Sequence, residues 1–82
     1  MPRLPPKPNL NYSLRRRFFN EIGEALDWID YGQGVFDLPT VQNQIKMLCQ
    51  SSRKVEIELV KGGKLIGYNG EETGQTIIYE KR

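Results

Sequence analysis

The run Val55-Glu56-Ile57-Glu58-Leu59-Val60-Lys61-Gly62-Gly63-Lys64-Leu65-Ile66 constrains this chain more than any other stretch. Apolar residues at every second position, with acids between them, predict a strand with one buried face. Gly62-Gly63 then predicts a two-residue hairpin turn, because both residues tolerate positive φ. Pairing Lys61 with Lys64 sets Leu59 opposite Ile66 and Ile57 opposite Tyr68, which keeps one face of the hairpin apolar. Residues 69–74 predict a second turn and Thr76-Ile77-Ile78-Tyr79 a third strand, so the strands are expected to form an antiparallel meander.

Upstream of Lys54 the spacing is helical. Ser13 is a candidate N-cap for a first helix over residues 13–30, since Leu14, Phe18, Ile22, Ala25, Leu26 and Ile29 fall within an arc of about 120°. Tyr31-Gly32-Gln33-Gly34 would end it, either glycine serving as the left-handed C′ residue. Asp37 or Thr40 caps a second helix reaching about residue 50, with Pro39 in its first turn and Leu38, Val41, Ile45, Leu48 and Cys49 on one face. The expected fold class is α+β, two helices packed on a three-stranded antiparallel sheet in the order α-α-β-β-β. Four of the first eight residues are proline, so residues 1–11 are expected to be a flexible, basic, extended arm, and residues 12–82 a single domain.

The net charge of +2 hides a segregation. Residues 1–17 hold five bases and no acid, residues 18–37 five acids and no base, and the remainder seven bases against five acids. A basic arm therefore precedes an acidic helix, an asymmetry that speaks to partners rather than to fold. No apolar run approaches the roughly 18 residues of a membrane span, and the opening residues carry no apolar core of a secretory signal. With one cysteine no internal disulfide can form, which favours a reducing compartment and a cytoplasmic location. So short a chain builds a small core, which makes a homodimer or a constitutive partner an expectation.

Catalytic residue types are scarce. There is no histidine, so the commonest general base and the imidazole metal ligand are both missing, and Cys49 has no histidine to activate it. Cys49 reads as a small core residue of the second helix, Glu56 and Glu58 as a solvated strand face, and the Gly62-Gly63 pair as a turn rather than a phosphate cradle. No enzyme activity, cofactor or metal is expected.

Basic and aromatic residues suit binding better. Arg3, Lys7, Arg15, Arg16 and Arg17 form one basic group, and Arg53, Lys54, Lys61 and Lys64 a second beside the hairpin, with Tyr12 placed to stack on a base. As consecutive residues of a helical turn, the three arginines would point in three directions, unpaired and open to phosphates. RNA or DNA binding by a small regulatory module is the leading expectation. The alternative is a protein-binding adaptor or inhibitor, phage and mobile-element sources included, that uses the acidic first helix.

Leu38-Pro39-Thr40-Val41, the short helix after it, and the stretch from Val55 through Gly62-Gly63 to Leu65 and Gly67 resemble the opening of the Sm-like family, in particular its Hfq-type RNA chaperones. That family has an N-terminal helix, an alternating strand, a glycine turn and a second strand bearing leucine and then glycine. The resemblance covers residues 38–68 and implies RNA binding. The family's barrel has five strands, whereas the residues after Tyr68 provide for one more, and no binding residue carries over. A winged-helix arrangement of helices followed by a hairpin is about as close.

Overall fold

A computed structural model of the protein describes residues 11–81, so residues 1–10 of the expected arm, with Arg3 and Lys7, lie outside the described residues. The elements are β1 (Tyr12–Phe18), β2 (Ile29–Phe36), α1 (Leu38–Ser51), β3 (Lys54–Lys61), β4 (Lys64–Leu65) and β5 (Ile77–Glu80). The spine is β3, whose alternation buries Val55, Ile57 and Leu59 completely on one face. Along one side it pairs with all of β1, antiparallel, from Tyr12↔Lys61 to Phe18↔Val55. Its other side is shared end to end: β5 pairs with residues 54–57 and β4 with Val60 and Lys61. On the far side of β1 lies β2, giving a five-stranded sheet in the order β2-β1-β3 with β4 and β5 end to end along the other edge of β3.

The first expected helix is absent and the sheet is correspondingly larger. Residues 12–36 form a hairpin, β1 and β2, with a tight reversal around Asn20. The Asn20 carboxamide oxygen accepts from the N–H groups of Ile22 and Glu24 at 3.1 and 2.8 Å, and Gly23 takes φ +85°. Such side-chain bonds offer the backbone an alternative to helix. The helical arc was real as a spacing, but Tyr12, Leu14 and Phe18 also satisfy a period of two, and pairing with β3 settles the choice. Ser13, expected to cap that helix, lies in β1, and its hydroxyl accepts from the Gly34 N–H at 2.8 Å.

Downstream, local chemistry prevails. Asp37 is the N-cap of α1, accepting from the Thr40 N–H at 3.0 Å, with proline in the first turn. Hydrogen bonds from the Thr40 side chain and from its N–H hold the Asp37 carboxyl below the usual range. Asp37→Ala should therefore lower the urea midpoint while leaving the sheet and its circular-dichroism signature in place. Gly62 and Gly63 take φ +60° and +77° and bring Lys61 opposite Lys64, as the turn chemistry predicts. The register beyond them departs from expectation. Ile66 still donates to Leu59 at 2.9 Å, but Ile57 pairs with Ile77, and Tyr68 sits in a turn. Since β5 joins β3 directly, the three strands are not a meander.

The core lies between α1 and one face of the sheet. Val41, Ile45 and Leu48 pack against Tyr12, Leu14, Val55, Ile57, Leu59 and Ile66, and each buried aliphatic side chain contributes about 1.5–3 kcal/mol. No helix among the described residues is long and apolar enough to cross a membrane.

Candidate binding site

The alternation of β1 sends Arg15 and Arg17 to the sheet face opposite α1, directly across from Glu58 and Glu56. Arg15 donates through Nε and Nη2 to the two Glu58 oxygens, both at 2.8 Å, a bidentate pair. Arg17 Nε donates to Glu56 Oε1 at 2.6 Å, and the Thr76 hydroxyl to Glu56 Oε2 at 2.8 Å. Both guanidinium groups lie 4.7 Å from the Trp28 ring centroid, so one indole covers the two pairs. Burial pushes the Glu56 carboxyl up, but the bonds from Thr76 and Arg17 and the charges of Arg17 and Lys54 outweigh it, leaving the group below the usual range. These two arginines are compensated cations that hold β1 to β3, in contrast to the unpaired cluster expected of a helical turn.

Arg16 points to the other face. It stacks on Phe18 at 3.8 Å and donates to the Tyr31 hydroxyl at 3.0 Å, and it makes no ion pair among the described residues. The remaining basic candidates do not gather beside the hairpin. Lys54 and Lys61 are the first and last residues of β3, roughly 23 Å apart at strand rise. Lys54 and Arg53 stand at the end where Phe19 lies, with Lys54 4.6 Å from the Phe19 centroid and 3.9 Å from a Glu80 oxygen. Lys61 and Lys64 are at the opposite end, Lys64 3.5 Å from Glu72 and Lys61 5.2 Å from the Tyr12 centroid. Tyr12 is a core residue, 5% exposed, and presents no ring for stacking on a base.

Two apolar surfaces that sequence spacing did not single out lie at opposite edges of the sheet instead. The first is the acidic segment itself: Ile22, Leu26, Ile29, Tyr31 and Val35 are all exposed there, five of the seven exposed large apolar residues among those described. The spacing assigns Ile22, Leu26 and Ile29 to a helix's core stripe and Tyr31 to its end, and the hairpin turns all four outward. The second is an apolar groove of about 500 Å³ between α1 and β5, with Ile45 and Cys49 on one wall and Tyr68, Ile77 and Tyr79 on the other. Burial pushes the Cys49 thiol up, away from the reactive thiolate. A signal for this edge was present in Ile77-Ile78-Tyr79, which is apolar on both strand faces although β5 is an edge strand.

Among the described residues no three His, Cys, Asp or Glu side chains converge to hold a metal ion. The chain matches no family model, no curated protein and no solved structure.

Proposed function

We propose that this protein is a non-enzymatic adaptor or inhibitor that binds another protein through its acidic segment, the turn after β1 together with β2. The observation that carries the reading is the coincidence, on residues 20–36, of acidic charge, exposed apolar side chains and an open sheet edge. Ile22 is 80% exposed and Val35 56%, and among the described residues no strand pairs with the outer edge of β2. A contiguous exposed apolar patch marks an interaction surface, and Leu26 and Ile29 line one trough with Phe18 and Ala25. Compensation of Arg15 and Arg17 by glutamates removes two of the cations on which phosphate binding would rest.

A second reading, RNA or DNA binding, draws on a trough of about 650 Å³ where Arg53, Lys54 and Lys81 surround Phe19, although Glu21 and Glu80 share it. One experiment separates the two. The protein is used as bait in lysate with and without nuclease, alongside an Ile22→Ser/Leu26→Ser variant. A protein captured after nuclease treatment and lost in the variant, whose melting is unchanged, is the expected result. The nucleic-acid reading replaces it if capture vanishes with nuclease and the purified chain binds single-stranded RNA or duplex DNA with a logarithmic salt slope of about −2 to −3, as three phosphate contacts require.

A further inference from the structure

The opposite edge of the sheet carries a second, differently built surface. The Lys81 N–H donates to the Arg53 carbonyl at 2.6 Å, continuing the register Lys54↔Glu80 and Val55↔Tyr79. That bond fixes the phase of the ladder, because residues of an antiparallel strand alternate between bonding their partner and facing away from it. Ile77, Tyr79 and Lys81 therefore spend their backbone groups on β3, and the N–H and C=O of Ile78 and Glu80 point to the outer edge. No strand among the described residues occupies that edge. An incoming strand there would lie over the apolar groove between β5 and α1, so its inward side chains would have Ile45, Cys49, Ile77 and Tyr79 to pack against. Ile78, 62% exposed on the outer face, would be covered at the same time.

Charge selects the occupant. Lys46 lines the groove, and Arg53 and Lys81 lie beyond its end, in the trough they share with Phe19, Lys54, Glu21 and Glu80; none of the three makes an ion pair among the described residues. Glu80, the acid of β5, lies toward Lys54 on the outer face at 3.9 Å. A second copy docking through this same edge would bring the same excess of cations to the rim. We propose that the groove takes an extended acidic segment of a partner protein, which adds to β5 as a further strand. Alternate apolar side chains of the segment enter the groove, and flanking aspartate or glutamate meets Lys46, Arg53 and Lys81. This site is independent of the acidic surface at β2, so the protein would hold two partner segments on opposite edges of one sheet.

The test uses the full chain to select from a displayed library of random ten-residue peptides. Enriched peptides should carry apolar residues at alternate positions beside an acidic flank, and a selected peptide should slow alkylation of Cys49 by iodoacetamide. Ile78→Pro removes an N–H that faces away from β3, so the sheet survives while strand addition is blocked. It should weaken the selected peptide about tenfold or more, as should the exposed-site reversal Lys46→Glu/Lys81→Glu, which decides the matter if the proline variant melts abnormally. Absence of the pattern among selected peptides, undiminished Cys49 alkylation, or full affinity in the charge-reversed variant overturns the proposal. A dimer in sedimentation that Ile78→Pro dissociates assigns the groove to a second copy, and displacement of the peptide by single-stranded RNA assigns it to nucleic acid. The Ile22→Ser/Leu26→Ser variant should bind the peptide normally, so failure at one edge is distinguishable from failure at the other.

Discussion

Leu59→Asp should abolish cooperative unfolding, leaving a chain with no thermal transition and no near-ultraviolet signal. Leu59 is completely buried in the central strand, opposite Leu14, which is 2% exposed, and bonded through its carbonyl to the N–H of Ile66, which is 4% exposed. Losing the leucine side chain costs about 2–5 kcal/mol, and placing a carboxyl in its site adds several more whether the group is charged or protonated. A domain of this length has about 4–12 kcal/mol in total, so the sum removes most or all of the folded population. Leu59→Met, which keeps volume and polarity, should cost about 1 kcal/mol and retain a sharp melt. Comparable melting of the aspartate and methionine variants would refute the placement of β3 at the centre of the core.

Glu56→Gln should be the most costly single change on the opposite face. The Glu56 side chain is 12% exposed, accepts from Arg17 and from Thr76, and so ties β1 and β5 to β3 at once. Loss of a charged hydrogen-bond partner that leaves a half-covered arginine behind costs about 2 kcal/mol, which at this size lowers the melting temperature by about 10 °C. The sign of its pH dependence follows from the lowered carboxyl pKa. A carboxyl depressed in the folded state contributes stability that is fully present above its unfolded value of about 4.3 and is lost as pH falls through the lower folded value. The gap between wild type and Glu56→Gln in urea midpoints should therefore be widest near neutrality and close as pH drops below about 4. A gap of the same size at pH 7 and pH 2 would show that the ion pair does not carry the effect.

These two residues also mark where sequence and tertiary structure part. Period two at Val55, Ile57 and Leu59, the Asp37 cap with its proline, and the glycine pair at Gly62-Gly63 each act within a few residues. The strand, the helix and the Lys61↔Lys64 pairing could be read from the chain because no distant partner competes with them. The exposed apolar residues of the acidic segment, and the open edge of β5 beside α1, could not be placed that way. Both depend on which strands lie next to one another, and β5 bypasses the hairpin to pair with β3 some twenty residues earlier.

Residues 13–30 present the sharpest case. Their apolar spacing fits a helix and a strand alike, and intrinsic propensity between the two is worth only tenths of a kcal/mol per residue. The decision is made by the ladder with β3, which buries Tyr12 and Leu14 and sets Arg17 and Arg15 opposite Glu56 and Glu58, 39 and 43 residues further on. An Arg-x-Arg facing a Glu-x-Glu across a ladder is satisfied only when both segments are extended, while in a helix the same arginines would oppose the dipole and only Arg17 would have an acid one turn ahead, at Glu21. By itself the sequence determined α1, β3 and the glycine turn, together with the absence of histidine. Only the tertiary structure decided that Arg15 and Arg17 are paired and that the acidic segment is the turn and second strand of a hairpin, because both outcomes rest on contacts between residues far apart in the chain.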